Sequence, residues 1–455
     1  MFPRHILSMR RDLLKLAVMV LACSSLAAAS ATLLLEEPYG KLGFFAATGH
    51  VAVYLSGVCA DTPLALRPCA PHETGVVISR YDGVGGYDWI AIPLIPYLYA
   101  VDHPEDVPLF ADAKMVSLLR DRYRRAHLED IVPDRINGQT PGGNWYELVG
   151  SSYDRTIYGF EIETTPQQDA ALIRKLNSSV NKSHFHTVTN NCADLAKDII
   201  NFYYPKALHR SVIADVGITT PKQLAKMLIK VSQRHPEIGY PRVVFNQVPG
   251  SMPRSFTVHG VVESFLKSKK YMVPTAAVCQ ICAGSVIAVY LGTAAGRFQP
   301  ARDALVFNPG SDPEPPLDSE DRRAYQQQLQ NLLMEDYPVT SGLDADKEWS
   351  RLQAGAKTDF DDQGRPMLQM QLDGRTVRVG ASADNVLTGS APPQLTRELL
   401  EARLQSELRR KSPAAISRTE LSRDWNLLQQ VLGNTHQDLT ARSTARIEDV
   451  RGNLR

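Results

Sequence analysis

Gly49-His50-Val51-Ala52-Val53-Tyr54-Leu55 decides how this chain is read. Its apolar residues, opened by a glycine and a histidine, predict a strand that carries an imidazole at its first position. A second stretch answers it downstream. Asn190-Asn191-Cys192-Ala193-Asp194-Leu195-Ala196 predicts the first turn of a helix, and Leu195, Ile199 and Phe202 continue its buried face. A thiol at a helix N-terminus with an imidazole on a strand is the minimum of a cysteine nucleophile. The histidine takes the proton, and the helix dipole favours the thiolate.

Around these two stretches the pattern is α+β. Thr74 to Tyr81 and Tyr87 to Leu94 predict two further strands, with Asp82-Gly83-Val84-Gly85-Gly86 as the turn between them. Lys114 to Leu128 has helical charge spacing, and Thr156 to Thr164 alternates as a strand. Thr165-Pro166-Gln167-Gln168-Asp169 opens a helix to about Val180, with a threonine cap and proline in the first turn. Thr219-Thr220-Pro221 caps another through Ser232. Residues 33–47 read as a short lead-in to the strand region.

The histidine strand upstream and the Asn-Cys helix downstream resemble the circularly permuted papain-like hydrolases. This group includes relatives of the NlpC peptidases and of the lecithin–retinol acyltransferase-like enzymes. In ordinary papain-like enzymes the cysteine precedes the histidine; here, as in the permuted group, the histidine comes first. The motifs are Gly49-His50-Val51 and Asn191-Cys192-Ala193, and the resemblance spans roughly residues 44–235. It implies an antiparallel sheet packed on helices over residues 33–265, with Cys192 as nucleophile and His50 as base. For the third polar residue it implies Glu73 first, then His72, then Asp88. Asn191 is either a brace for the cysteine loop or a simple helix cap. The oxyanion would be held by the Cys192 amide and a neighbour.

His184 and His186 compete as bases and are spaced as metal ligands, but no third ligand is near in sequence. No glycine-rich phosphate loop, zinc ligand set or repeat period is visible, so neither cofactor nor metal is expected. Lys and Arg number 50 against 49 Asp and Glu, a net charge of +1, which argues against a nucleic-acid binder driven by bulk charge.

Two apolar stretches suggest export and membrane contact. Met9-Arg10-Arg11-Asp12-Leu13-Leu14-Lys15 precedes an apolar run from Leu16 to Ala31, so residues 1–31 read as a signal peptide or signal anchor. The arginine pair resembles the twin-arginine export signal, and Met9 is an alternative start. Val20-Leu21-Ala22-Cys23 is a partial lipobox that reads better as part of the apolar run. Residues 273–296 are long enough for one transmembrane helix; a buried hairpin is the competing reading. Residues 309–320 read as a linker, and 321–455 as a polar C-terminal region, either a small α+β domain or partly ordered. Within it, Arg323 to Met334 and Gln394 to Lys411 have helical spacing, and Pro366 to Val379 predicts a hairpin around Asp373-Gly374.

Cysteine usage leaves alternatives. Cys59 and Cys69 close a loop as a disulfide or stand as two free thiols. Cys279 and Cys282 have redox spacing, but lie in an apolar segment without a second ligand pair. The functional expectation is a periplasmic or otherwise extracytoplasmic, membrane-anchored amidase or peptidase of the cell envelope. It would act on cell-wall peptides or lipoproteins through a Cys192 thioester. A thiol acyltransferase is one alternative; the other is a non-enzymatic envelope protein in which His50 and Cys192 are structural.

Overall fold

A computed structural model of the chain describes residues 29–40, 48–213, 215–239, 241–292, 297–336, 345–409 and 416–433. Residues 1–28, which hold most of the expected signal segment, lie outside this set. Residues 29–31 do not. They open β1 (Ala29–Glu36), whose eight residues are all buried. β1 is a central strand, pairing antiparallel with β2 (His50–Leu55) on one side and β7 (Ile157–Thr164) on the other. Ala31 sits opposite Leu55, and Ala29 opposite Thr164. The expected lead-in over 33–47 is therefore corrected: its first residues are the middle of the sheet. Leu33-Leu34-Leu35 is apolar on both faces, as a doubly covered strand requires.

Seven strands form the sheet in the order β6-β5-β2-β1-β7-β8-β9. β5 is Val76–Ser79, β6 is Ile90–Pro93, β8 is Arg242–Phe245 and β9 is Leu305–Val306. β8 and β9 run parallel, while the other ladders are antiparallel. The expected antiparallel sheet is thus a mixed one. Its odd strand arrives last in sequence, after the chain has left the sheet and returned. β3 (Val58–Thr62) and β4 (Ala65–Pro68) make a separate hairpin where a loop was expected, and the Cys59–Cys69 disulfide ties its ends.

The two sheet faces bury different elements. Leu33, Val51, Val53 and Leu55 pack with α3 (Pro166–Ser178), α4 (Cys192–Tyr203) and α5 (Pro221–Arg234). Leu34 and Ala52 belong to a core with α1 (Leu94–Tyr99) and α2 (Ala113–His127). That core continues into the C-terminal region, where Trp349 is fully buried 5.4 Å from Phe110.

The transmembrane helix expected over 273–296 is corrected: its described part, to residue 292, is two short helices rather than one long one. α6 (Val261–Lys267) leads to α7 (Lys269–Val278) and α8 (Gln280–Gly292), with the break at Cys279. Cys279 is bonded to Cys282 across that break. Ten and thirteen residues rise about 15 and 20 Å, short of a hydrocarbon core of about 30 Å. No helix among the described residues is long and apolar enough to cross a membrane.

Within residues 309–320, Leu317 is buried and its amide donates to the Ile416 carbonyl. Beyond lie α9 (Ser319–Asp336), α10 (Ala345–Leu352), a three-stranded antiparallel sheet of β10 (Lys357–Phe360), β11 (Pro366–Leu372) and β12 (Arg375–Gly380), and α11 (Pro393–Leu408). Asp373 and Gly374, both at positive φ, turn the β11–β12 hairpin.

Candidate functional site

His50 is set by the residue before it. Gly49 has φ +70°, and a Cβ there would lie 2.2 Å from the Glu36 carbonyl oxygen, so only glycine brings the chain this close to the end of β1. The imidazole is buried and stacks on Tyr81, with centroids 4.2 Å apart and planes 11° from parallel. Burial, reinforced by the Arg155 charge, holds its pKa well below the ordinary range. It is neutral at pH 7, and its Nε2 has no hydrogen-bond partner among the described residues.

Cys192 is the first residue of α4, and Asn191 fixes that start. The Asn191 Oδ1 accepts from the amides of Ala193 (2.9 Å) and Asp194 (3.1 Å). Its Nδ2 donates to the carbonyls of Thr187 (2.8 Å) and Thr219 (3.1 Å). Asn191 is therefore both cap and brace, joining the cysteine turn to two loops. Asp194 completes the capping box by accepting from the Asn191 amide. Its other oxygen takes Thr219 Oγ1 (2.6 Å), Lys197 Nζ (3.0 Å) and Arg210 Nη2 (3.0 Å). Burial works to raise the Asp194 pKa, but these donors outweigh it and hold the carboxyl below the usual range.

The sulfur reaches the sheet from the side opposite to His50. Register puts His50 on the face of Leu34 and Ala52, whereas α4 packs on the Val51 face. Both residues nonetheless line one cavity of about 280 Å³, together with Tyr39, Arg80, Tyr81 and Val261. The nearby amides of Val51 and Ala193 act to lower the thiol pKa. Burial still dominates and pushes the thiol pKa up to about 11, with Glu36 adding to the rise. The helix N-terminus is expected to favour the thiolate; burial acts in the opposite direction. The resting pair is neutral thiol and neutral imidazole.

Other expected residues fall elsewhere. Glu73 is exposed, outside the cavity, and grips Arg67 through two bonds of 2.6 and 2.7 Å. That grip, with the Ala70 amide, lowers its pKa to about 2. His72 is exposed at positive φ in the same turn. Asp88 reaches the cavity only through Arg80, which it binds at 2.6 Å. Arg80 in turn donates to Asn190 Oδ1 (2.7 Å) and to the Asn191 carbonyl (3.2 Å). His184 and His186 are exposed and bonded locally, to the Lys182 carbonyl (2.6 Å) and the Thr189 hydroxyl (2.9 Å). Among the described residues, metal-ligand proximity occurs at Cys59, Cys69 and Glu73, but both sulfurs there are in a disulfide.

Sequence reading missed the carboxyl beside the histidine. Glu36 is the register partner of His50, fully buried. It accepts from the Tyr97 hydroxyl and pairs with Arg155 at 3.2 Å. Arg155 also pairs with Glu147 and lies 4.5 Å from the centre of the Tyr39 ring. Tyr39 donates to Glu147 at 2.5 Å. Burial raises the Glu36 pKa to about 7 against the pull of Arg155 and Tyr97. Glu36-Glu37 closing an apolar run was the one available signal. Compared with protein-family models, curated proteins and solved structures, the chain matches none.

Proposed function

We propose that the chain is a cysteine-dependent amidase or peptidase that opens an amide bond through a thioester on Cys192. The observation that carries this reading is the convergence of Cys192 and His50 on one cavity. Cys192 Sγ attacks the carbonyl carbon while neutral His50 accepts the thiol proton. The amide of Cys192, without an intrahelical acceptor at the first helical position, offers a donor to the oxyanion. Collapse of the tetrahedral adduct breaks the C–N bond, and His50 returns the proton to the leaving amine. Water then attacks the thioester carbonyl and releases acid and thiol. With an amine or alcohol in place of water, the same site is an acyltransferase. The histidine-first order links this reading to the permuted papain-like group. Peptides or lipoproteins of the cell envelope are the proposed substrates.

A neutral thiol requires proton transfer together with attack, rather than a stored ion pair. The same neutrality is the observation that favours a structural, non-enzymatic envelope protein. The experiment is acylation of the full chain by p-nitrophenyl acetate, followed by mass spectrometry. The expected result is one hydroxylamine-sensitive acetyl group on Cys192, absent in Cys192→Ala and formed at least about 100-fold more slowly in His50→Gln. No adduct, or an adduct indifferent to His50, overturns the proposal and leaves the pair structural.

A further inference from the structure

Among the described residues, α7 and α8 stand out because their apolar surface has almost nothing covering it. No charged residue occurs between Lys270 and Arg297. Val273, Val278, Ile281 and Leu291 are 65, 89, 84 and 69% exposed. In these two helices only Ala283 is buried. Single exposed apolar residues need no explanation, but a contiguous run of them does. α8 is apolar all round rather than along a stripe.

The rim of this surface is basic. Lys269 and Lys270 are exposed before it and Arg297 after it. The acids nearby are buried: Glu263 is held by Lys222 (2.5 Å) and Lys267 (2.8 Å), and Asp215 accepts from the Val261 amide (2.8 Å). Tyr271 and Tyr290, both half-buried, stand near the two ends of the apolar run, where amphipathic rings suit a membrane–water boundary.

We infer that α7 and α8 dock into the headgroup–acyl boundary of an anionic lipid bilayer without crossing it. Exposed apolar side chains flanked by cations suit the boundary of an anionic bilayer, where the apolar groups enter the acyl region and the cations meet the headgroups. A second copy would bring the same basic rim against itself across a two-fold axis, whereas acidic headgroups complement it. α8 packs back on α6, and the first residue of α6, Val261, lines the Cys192 cavity. α6 is seven residues, about 10 Å, so docking would hold the cavity at the lipid surface. This inference goes beyond the acyl chemistry and stands without it.

The test is hydrogen exchange of the full chain with vesicles of phosphatidylcholine alone or mixed with phosphatidylglycerol. Reading exchange peptide by peptide separates this surface from any binding through residues 1–28. The expected result is exchange slowed roughly tenfold over 271–292 on the anionic vesicles. The slowing should be lost in Val278→Asp/Ile281→Asp and weakened in Lys269→Glu/Lys270→Glu. An unchanged circular dichroism spectrum shows that the variants fold. Unchanged exchange over 271–292, whether or not the chain binds vesicles, overturns the inference. So does equal slowing on uncharged vesicles, or protein-concentration-dependent slowing without lipid, which would mean a second copy covers the surface. None of these readouts depends on Cys192 reactivity.

Discussion

Glu36 and His50 face each other across the β1–β2 ladder, a carboxyl and an imidazole side by side at the end of two central strands. Burial acts oppositely on their charges: it raises the pKa of the acid to about 7 and lowers that of the base. Each is driven toward neutrality, and Arg155 keeps its charge against Glu147. The charge that remains beside His50 is the Arg155–Glu147 ion pair, both of whose members line the cavity.

This gives Glu36 a defined effect on stability. Its folded pKa of about 7 lies above its unfolded value of 4.5, so the folded chain holds the extra proton between those limits. The contribution is full below pH 4.5 and is lost as pH rises through 7, by about 3 kcal/mol at most. Urea unfolding of wild type and Glu36→Gln at pH 5 and pH 7 measures it. The wild type's advantage over the variant should shrink from pH 5 to pH 7. His50 works in the other direction, because its folded pKa lies below its unfolded one; it costs stability as pH falls below about 6.5. An advantage that grows toward pH 7 would contradict the Glu36 assignment.

Cys192 should react slowly when no substrate is bound. A thiol at about 11 rather than 9 has about 100-fold less thiolate at pH 8. The rate of alkylation by iodoacetamide, followed against pH, should still be climbing above pH 10. A plateau below pH 8 would show that the amides of Val51 and Ala193 outweigh burial.

Asn191 separates capping from bracing. Asn191→Asp keeps acceptors for the Ala193 and Asp194 amides but sets a carboxylate against the carbonyls of Thr187 and Thr219. Asn191→Ala loses both functions. We expect losses of about 1–2 kcal/mol for Asp and about 2–4 kcal/mol for Ala, read by urea unfolding. Equal stability of wild type and Asn191→Asp would mean the two loop carbonyls contribute nothing.

The elements that sequence reading located best carry their own punctuation. Thr165-Pro166, Asn191 and Thr220-Pro221 all cap the helices they announce, because a cap is a local bond between neighbours. β1 is hidden because its leucines continue the apolar run from Leu16, and hydropathy does not distinguish a buried central strand from an export segment. The break at Cys279 is invisible for a related reason: apolar length is additive along the sequence, whereas a change of direction is not. Glu73 looked catalytic because it opens a strand, but Arg67, six residues upstream on β4, claims it. Glu36 becomes a site residue only through the register that sets it against His50.

Gly49 is where local backbone and site meet most tightly. Its positive φ costs a non-glycine residue about 1 kcal/mol or more, and a Cβ 2.2 Å from the Glu36 carbonyl oxygen forces β1 and β2 apart at the cavity. Gly49→Ala should therefore lose more than about 2 kcal/mol in urea unfolding. It should also move His50 off the Tyr81 ring. Tyr81→Leu removes that stack without touching the backbone, so comparing the two variants separates ring packing from strand geometry. If Gly49→Ala unfolds no more easily than wild type and keeps the wild-type rate of Cys192 acylation, the close approach of the two strands does not position the histidine.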